Sequence, residues 1–245
     1  MAALRTLWIA LVGLYEETLV LVGANVAAIA LNIPIILLLV VLGAVLGLVF
    51  VGDQVNSLYF GVVATLLVFM PTPGNVALGG LTLIAAGPDV PRFNAFRAAL
   101  KTHWRLALRC SLVSVVILAV LVWNVTFYLG FGPGWPFLVT IIWLYATVFW
   151  LSLHIFFVPL MVHVSEPHAW DLYRRAAFIS IGHPVYTVLL LVALLIITFA
   201  AVVFLPVYIL MAPAFVSLVQ AHALREIRRR HGDLTVEPEE EVSRL

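Results

Sequence analysis

The sequence predicts an all-α, polytopic membrane protein, a transmembrane helical bundle. Three observations carry that assignment. Charge is missing over long runs: residues 18–50, 110–164 and 176–224 contain no charged side chain, and Asp53 stands alone between position 50 and Asp89. A helical crossing takes about 20 apolar residues to cover roughly 30 Å of hydrocarbon, and each run exceeds that. Composition agrees: 64% of the 245 residues are hydrophobic and 10% charged, against about 25% charged in soluble domains, and the mean hydropathy is +1.15. Finally, all 13 Lys and Arg residues fit on one side of a membrane.

The uncharged runs are too long for one helix each. The Gly52-Asp53-Gln54-Val55-Asn56-Ser57 break separates the first two helices, with the second continuing past Pro71. Gly130-Phe131-Gly132-Pro133-Gly134-Trp135-Pro136 combines turn chemistry with an interfacial tryptophan, so it marks a membrane surface. Pro206 lies near the middle of the last run, where it fits either a tight hairpin or a kink in one long tilted helix. Division gives six helices at 19–45, 57–85, 106–129, 136–163, 183–203 and 206–224. Six crossings put Arg5, the 92–109 cluster, Arg174 and Arg175, the 225–230 cluster and Arg244 on one face. The positive-inside rule makes that face cytoplasmic, with both termini inside. Five crossings would strand the 225–230 cluster opposite the rest.

Residues 1–230 form a single integral membrane domain in this reading, and 231–245 a disordered acidic cytoplasmic tail around Glu237 and Pro238. The N-terminus lacks the basic, apolar and small-residue order of a cleavable signal and reads as part of the mature protein. Cys110 is the only cysteine, which excludes an internal disulfide and a cysteine metal cluster.

Each pair of spans is preceded by a segment mixing aromatics with arginine: Leu4-Arg5-Thr6-Leu7-Trp8, then Phe93 to Leu100, then Asp171 to Phe178. Arg97-Ala98-Ala99-Leu100 and Arg175-Ala176-Ala177-Phe178 match, each followed by a histidine, His103 or His183. The pattern suggests three units, each a cytoplasmic interfacial amphipathic helix leading into a transmembrane hairpin. Chance similarity between membrane-anchor helices is the alternative. Asp89 ahead of Pro91, and Ser165 ahead of Pro167, are candidate N-caps for the second and third of these helices.

Three stretches carry a family resemblance. They are Phe69-Met70-Pro71-Thr72-Pro73-Gly74-Asn75-Val76-Ala77, the basic Phe-rich segment from Pro91 to Trp104, and Phe157-Val158-Pro159-Leu160 with the helix from Arg174 to His183-Pro184. Across roughly residues 1–230 the chain resembles the YesL-like family of bacterial integral membrane proteins, a domain of unknown function, with a longer first hairpin over 32–57. The resemblance implies the bacterial inner (cytoplasmic) membrane and a role linked to carbohydrate uptake. It supplies no catalytic residues.

Two residue sets are the candidate sites. Arg97, Lys101, Arg105 and Arg109 recur every four residues along one helix face, with Phe93, Phe96, Leu100 and Trp104 as apolar contact. With Arg174 and Arg175 they suit anionic lipid headgroups or the acidic surface of a membrane-protein partner such as a transporter. The alternative is anchoring, since basic side chains snorkel to phosphate level at any helix entry. The second set, Asn25, Asn32, Asn124 and His154, places polar groups at membrane depth, where they either join helices or line a path for a neutral solute. Asn32-Ile33-Pro34 suits either a broken helix or a simple kink. His154 and His163 are nine residues apart and diverge on a helix. No metal-ligand spacing, phosphate loop or nucleophile elbow is present, so no metal, cofactor, nucleic-acid partner or catalytic residue is assigned. The spans lack a deep carboxylate, which disfavours ion-coupled transport. The function expected is a non-enzymatic accessory or scaffold protein linked to solute transport. A neutral-solute facilitator and a structural subunit of a larger complex are the alternatives. An exposed small-residue face at Gly43, Gly47, Gly79 and Gly80 would favour the subunit.

Overall fold

A computed structural model describes residues 2–45, 63–131, 134–164 and 168–230. They are almost wholly helical: α1 (Ala2–Glu16), α2 (Thr18–Val45), α3 (Val63–Phe69), α4 (Pro73–Ala85), α5 (Phe93–Leu129), α6 (Trp135–His163), α7 (Ala169–Gly182), α8 (Pro184–Val203), α9 (Leu205–Leu210) and α10 (Ala212–Arg230). No strand occurs among the described residues. Among the described residues four helices can cross a membrane by length and composition: Thr18–Val41 of α2, and α5, α6 and α8. The pair α3 and α4, bent by 52°, makes up to five when counted as one crossing. The chain is therefore an all-helical membrane protein.

In chain order the helices group into three contacting sets, called units below: α1–α2 with α3–α4, α5 with α6, and α7–α8 with α9–α10. Helices α4, α6 and α10, the last of each unit, pack against one another. Each also packs on the first turns of the next unit: α4 on α5, α6 on α7, and α10 back on α1, which closes the ring. Burial follows the same plan. Residues 74–82 of α4, 152–161 of α6 and 212–221 of α10 are buried without interruption. Thr6, Ala10 and Leu14 of α1 repeat the four-residue spacing of Leu172, Ala176 and Ser180 in α7. In α5 the matching buried residue is Ala99, 77 positions before Ala176, so burial sets a register one residue away from the sequence match.

Close approach at the centre uses glycine. A side chain on Gly80 would run into Ala99, and one on Gly79 would lie 2.7 Å from Val158 Cγ1. The small residues Gly79 and Gly80 are thus consumed inside the bundle and offer no outer face; Gly47 and the Gly43 side-chain position lie outside the described residues. At the far end Gly134 has φ +139°, a conformation that suits glycine, and Pro136 follows in the first turn of α6. Residues 132 and 133 of the expected turn lie outside the described residues, and helix stops at Leu129 and resumes at Trp135 on either side of it.

Several expected boundaries differ. The basic segment and the third span are one unbroken helix, α5, because no Gly or Pro separates Phe93 from Leu129. A separate interfacial helix does not exist in that unit. Likewise hydrogen bonds carry α1 on into α2, with Glu17 N–H donating to Gly13 O at 3.1 Å and Leu21 N–H to Glu17 O at 3.0 Å. Only in the third unit does a break, at His183-Pro184, divide α7 from α8. The helix expected at 57–85 is split at Met70-Pro71-Thr72. That expected at 206–224 is split at Met211 and extends to Arg230. Pro206 sits in the first turn of α9, just past the end of α8 at Val203. Asp89 is not a cap: α5 starts after Pro91 with Arg92 at the N-cap position and no side-chain bond. Ser165, Pro167 and the 231–245 tail lie outside the described residues.

Candidate functional site

The polar residues of the interior come first, because they decide whether a polar path exists. Asn32 lies in α2, which continues through Pro34 without a break. Its Nδ2 donates to Asn75 Oδ1 at 3.2 Å, and its Oδ1 accepts from Gly74 N–H at 3.2 Å. Asn75 Nδ2 in turn donates toward the carbonyls of Leu67, Val68 and Met70, at 2.8, 3.1 and 2.8 Å. Those are acceptors released where α3 stops. Thr72 Oγ1 caps α4 by accepting from Asn75 N–H at 3.2 Å, and Ser111 Oγ donates to Pro71 O at 2.9 Å. A backbone break inside apolar surroundings has to satisfy its own groups, and here four side chains do so. Gly74 is required as well: a side chain there would meet the Ala28 carbonyl, the Asn32 amide oxygen lying 2.6 Å away.

His154 belongs to a second cluster. Its Nδ1 lies 2.8 Å from Trp150 O and its Nε2 2.9 Å from Ser114 Oγ. A carbonyl only accepts, so Nδ1 carries the proton and Nε2 accepts from the serine hydroxyl. Tyr173 OH follows at 3.1 Å from Ser114 Oγ and 3.4 Å from Cys110 O, with one phenol proton shared between the two acceptors. Burial pushes the Tyr173 phenol up to about 12, so it stays protonated at ordinary pH. The rings of Trp150, Phe157 and Tyr173 close over the cluster, with centroids 5.3 Å and 4.4 Å from Tyr173. Gln220 Nε2 donates to His154 O at 3.2 Å. A serine at hydrogen-bond distance from a histidine suggests nucleophilic chemistry, but the histidine's second nitrogen is held by a backbone carbonyl rather than a carboxylate. Among the described residues no three potential metal ligands cluster.

Each of the four residues expected to line a polar path bonds a different protein group. Asn25 Nδ2 donates to Ile209 O at 2.7 Å, leaving its buried Oδ1 without a partner. Asn124 Nδ2 donates to Val120 O of its own helix at 2.7 Å. No hydrogen bond joins any two of Asn25, Asn32, Asn124 and His154. Sequence reading missed Ser114, Tyr173 and Asn75; a lone hydroxyl or amide in an apolar helix gives no sign of what it meets. The one available signal is the crowding of Pro71, Thr72, Pro73, Gly74 and Asn75.

The basic residues have the opposite character. Arg97, Lys101, Arg105, Arg109, Arg174 and Arg175 are all exposed, and none is in an ion pair with a described residue. Three lie against neighbouring rings: Arg97 over Phe93 at 5.4 Å, Arg105 over Trp104 at 5.3 Å and Arg174 over Phe178 at 5.5 Å. The C-terminal basic cluster is more engaged. Arg229 and Arg230 both bond Glu226 at 2.9 Å, and Arg228 Nη1 donates to His163 Nε2 at 2.8 Å. Arg230 also covers the Tyr186 ring at 5.7 Å, and Tyr186 OH meets Thr6 Oγ1 at 3.0 Å. These links bring the end of α6, the end of α10 and the starts of α1 and α8 to one end of the bundle.

No protein-family model matches the chain, and neither a curated protein nor a solved structure is detectably similar to it.

Proposed function

We propose that this is a non-enzymatic membrane protein, an accessory or scaffold component whose basic end docks an acidic surface of a membrane-protein partner. The observation that carries the proposal is the set of six exposed cations at 97, 101, 105, 109, 174 and 175, free of ion pairs with described residues. Interior polar groups engaged by the protein itself speak for a bundle built to hold its shape. In the same proposal the three units give six crossings, the basic end faces the cytoplasm with both termini, and the membrane is the bacterial inner membrane. The clustering of Lys and Arg between the uncharged runs and the positive-inside rule support that topology. The link to carbohydrate or other solute transport comes from the YesL-like resemblance alone.

The test is purification from native membranes in mild detergent, with mass spectrometry of what co-purifies. A stoichiometric protein that is lost when Arg97, Lys101 and Arg105 are replaced by Ala supports docking. A clean monomer or homo-oligomer carrying only lipid counts against it.

A further inference from the structure

We infer that the groove between α2, α4 and the basic turns of α5 is a site for one anionic phospholipid. Leu31 of α2, Pro73 of α4, and Leu100 and Trp104 of α5 line an open groove of about 400 Å³, and Arg97 and Lys101 line it with them. The two cations are one turn apart and both exposed. Leu31 belongs to an apolar crossing helix, whereas Arg97 lies one turn into α5 at the basic end. The groove thus joins a cationic mouth to a hydrocarbon-facing wall. A lipid phosphate held between Arg97 and Lys101 satisfies the charge, and the first methylenes of an acyl chain cover Leu31, Pro73, Leu100 and Trp104. Inorganic phosphate would leave that wall bare, and an acidic peptide would bring backbone polar groups to a wall with no partner for them. The site rests on the membrane placement of α2 and α5, and it holds whether or not a protein partner docks.

The test is native mass spectrometry of the full chain in detergent, with phosphatidylglycerol and phosphatidylcholine of equal chain length added together. Wild type is expected to retain one phosphatidylglycerol in preference to phosphatidylcholine. The double variant Arg97→Gln/Lys101→Gln should weaken that retention about thirtyfold, as expected for two cations at headgroup level. Leu31→Trp, which fills the groove and leaves the charges intact, should also reduce it; Leu100→Trp replaces it if that variant is not recovered. Arg105→Gln/Arg109→Gln should keep it. Equal retention of both lipids overturns the site, as does retention at the wild-type level by the Arg97→Gln/Lys101→Gln variant. So does loss on removing charge with none on filling the groove, or displacement of the lipid by inorganic phosphate. Partner recovery measured in the same preparations separates failure of this site from failure of the docking proposal.

Discussion

The two ends of this bundle are built on different terms. At the basic end, residues 74–82, 152–161 and 212–221 are sealed on every side by neighbouring helices. At the other end the last turns of α5 expose Val116, Val120, Trp123 and Phe127, and α8 exposes Ile196, Phe199 and Val203. Both ends are apolar, so hydrophobicity does not distinguish them. Lipid tails solvate a leucine as well as another helix does, which removes the usual force that sorts residues inward. What marks the packed end is small and polar residues: Gly74, Gly79, Gly80, Ala99 and Ala176 permit contact, while Asn32, Asn75, Ser114 and His154 cross-link it.

That contrast can be broken most forcefully at Gly74. Gly74→Val sets a branched side chain against the α2 backbone, and backbone cannot move aside as a side chain tip can. The loss should reach or exceed the top of the roughly 1–3 kcal/mol range for overpacking, read as a collapse of the melting transition in detergent. Asn75→Asp comes next. It keeps the size but cannot donate to Leu67, Val68 and Met70. A buried group left unpaired costs about 1–3 kcal/mol, so a fall of at least about 2 kcal/mol in unfolding free energy is expected. Ser114→Ala removes one donor to His154. Interhelical hydrogen bonds in membranes contribute about 0.6 kcal/mol on average and up to about 1.7, so a small but measurable drop should follow. Val120→Ala, on the exposed end, should change stability by less than about 0.5 kcal/mol. If Val120→Ala matched Gly74→Val, the distinction between the two ends would be lost.

Much of the helix plan was legible in the sequence, because charge gaps and turn residues act locally. The helix boundary before Trp135 and the break near Pro206 follow from such signals. Helix continuity was less legible. The join between α5's basic turns and its apolar turns looks like an interface from composition, yet nothing in residues 93–129 stops a helix. The candidate site divided in the same way. Exposed cations on α5 can be read from four-residue spacing, since exposure of charge needs no partner. The fates of Asn32 and His154 depended on Asn75 and Ser114, which are 43 and 40 residues away, and no periodicity reports such meetings.

The central claim is that the basic starts of all three units and the end of α10 share one side of the membrane. Single cysteines at positions 5, 101, 175 and 229, in a Cys110→Ala background, test it with a membrane-impermeant maleimide applied from each side. The account predicts labelling of all four from one side, and labelling of cysteines at 131 and 205 from the other. Labelling of position 229 together with position 131 would contradict it, because α10 would then return to the wrong face.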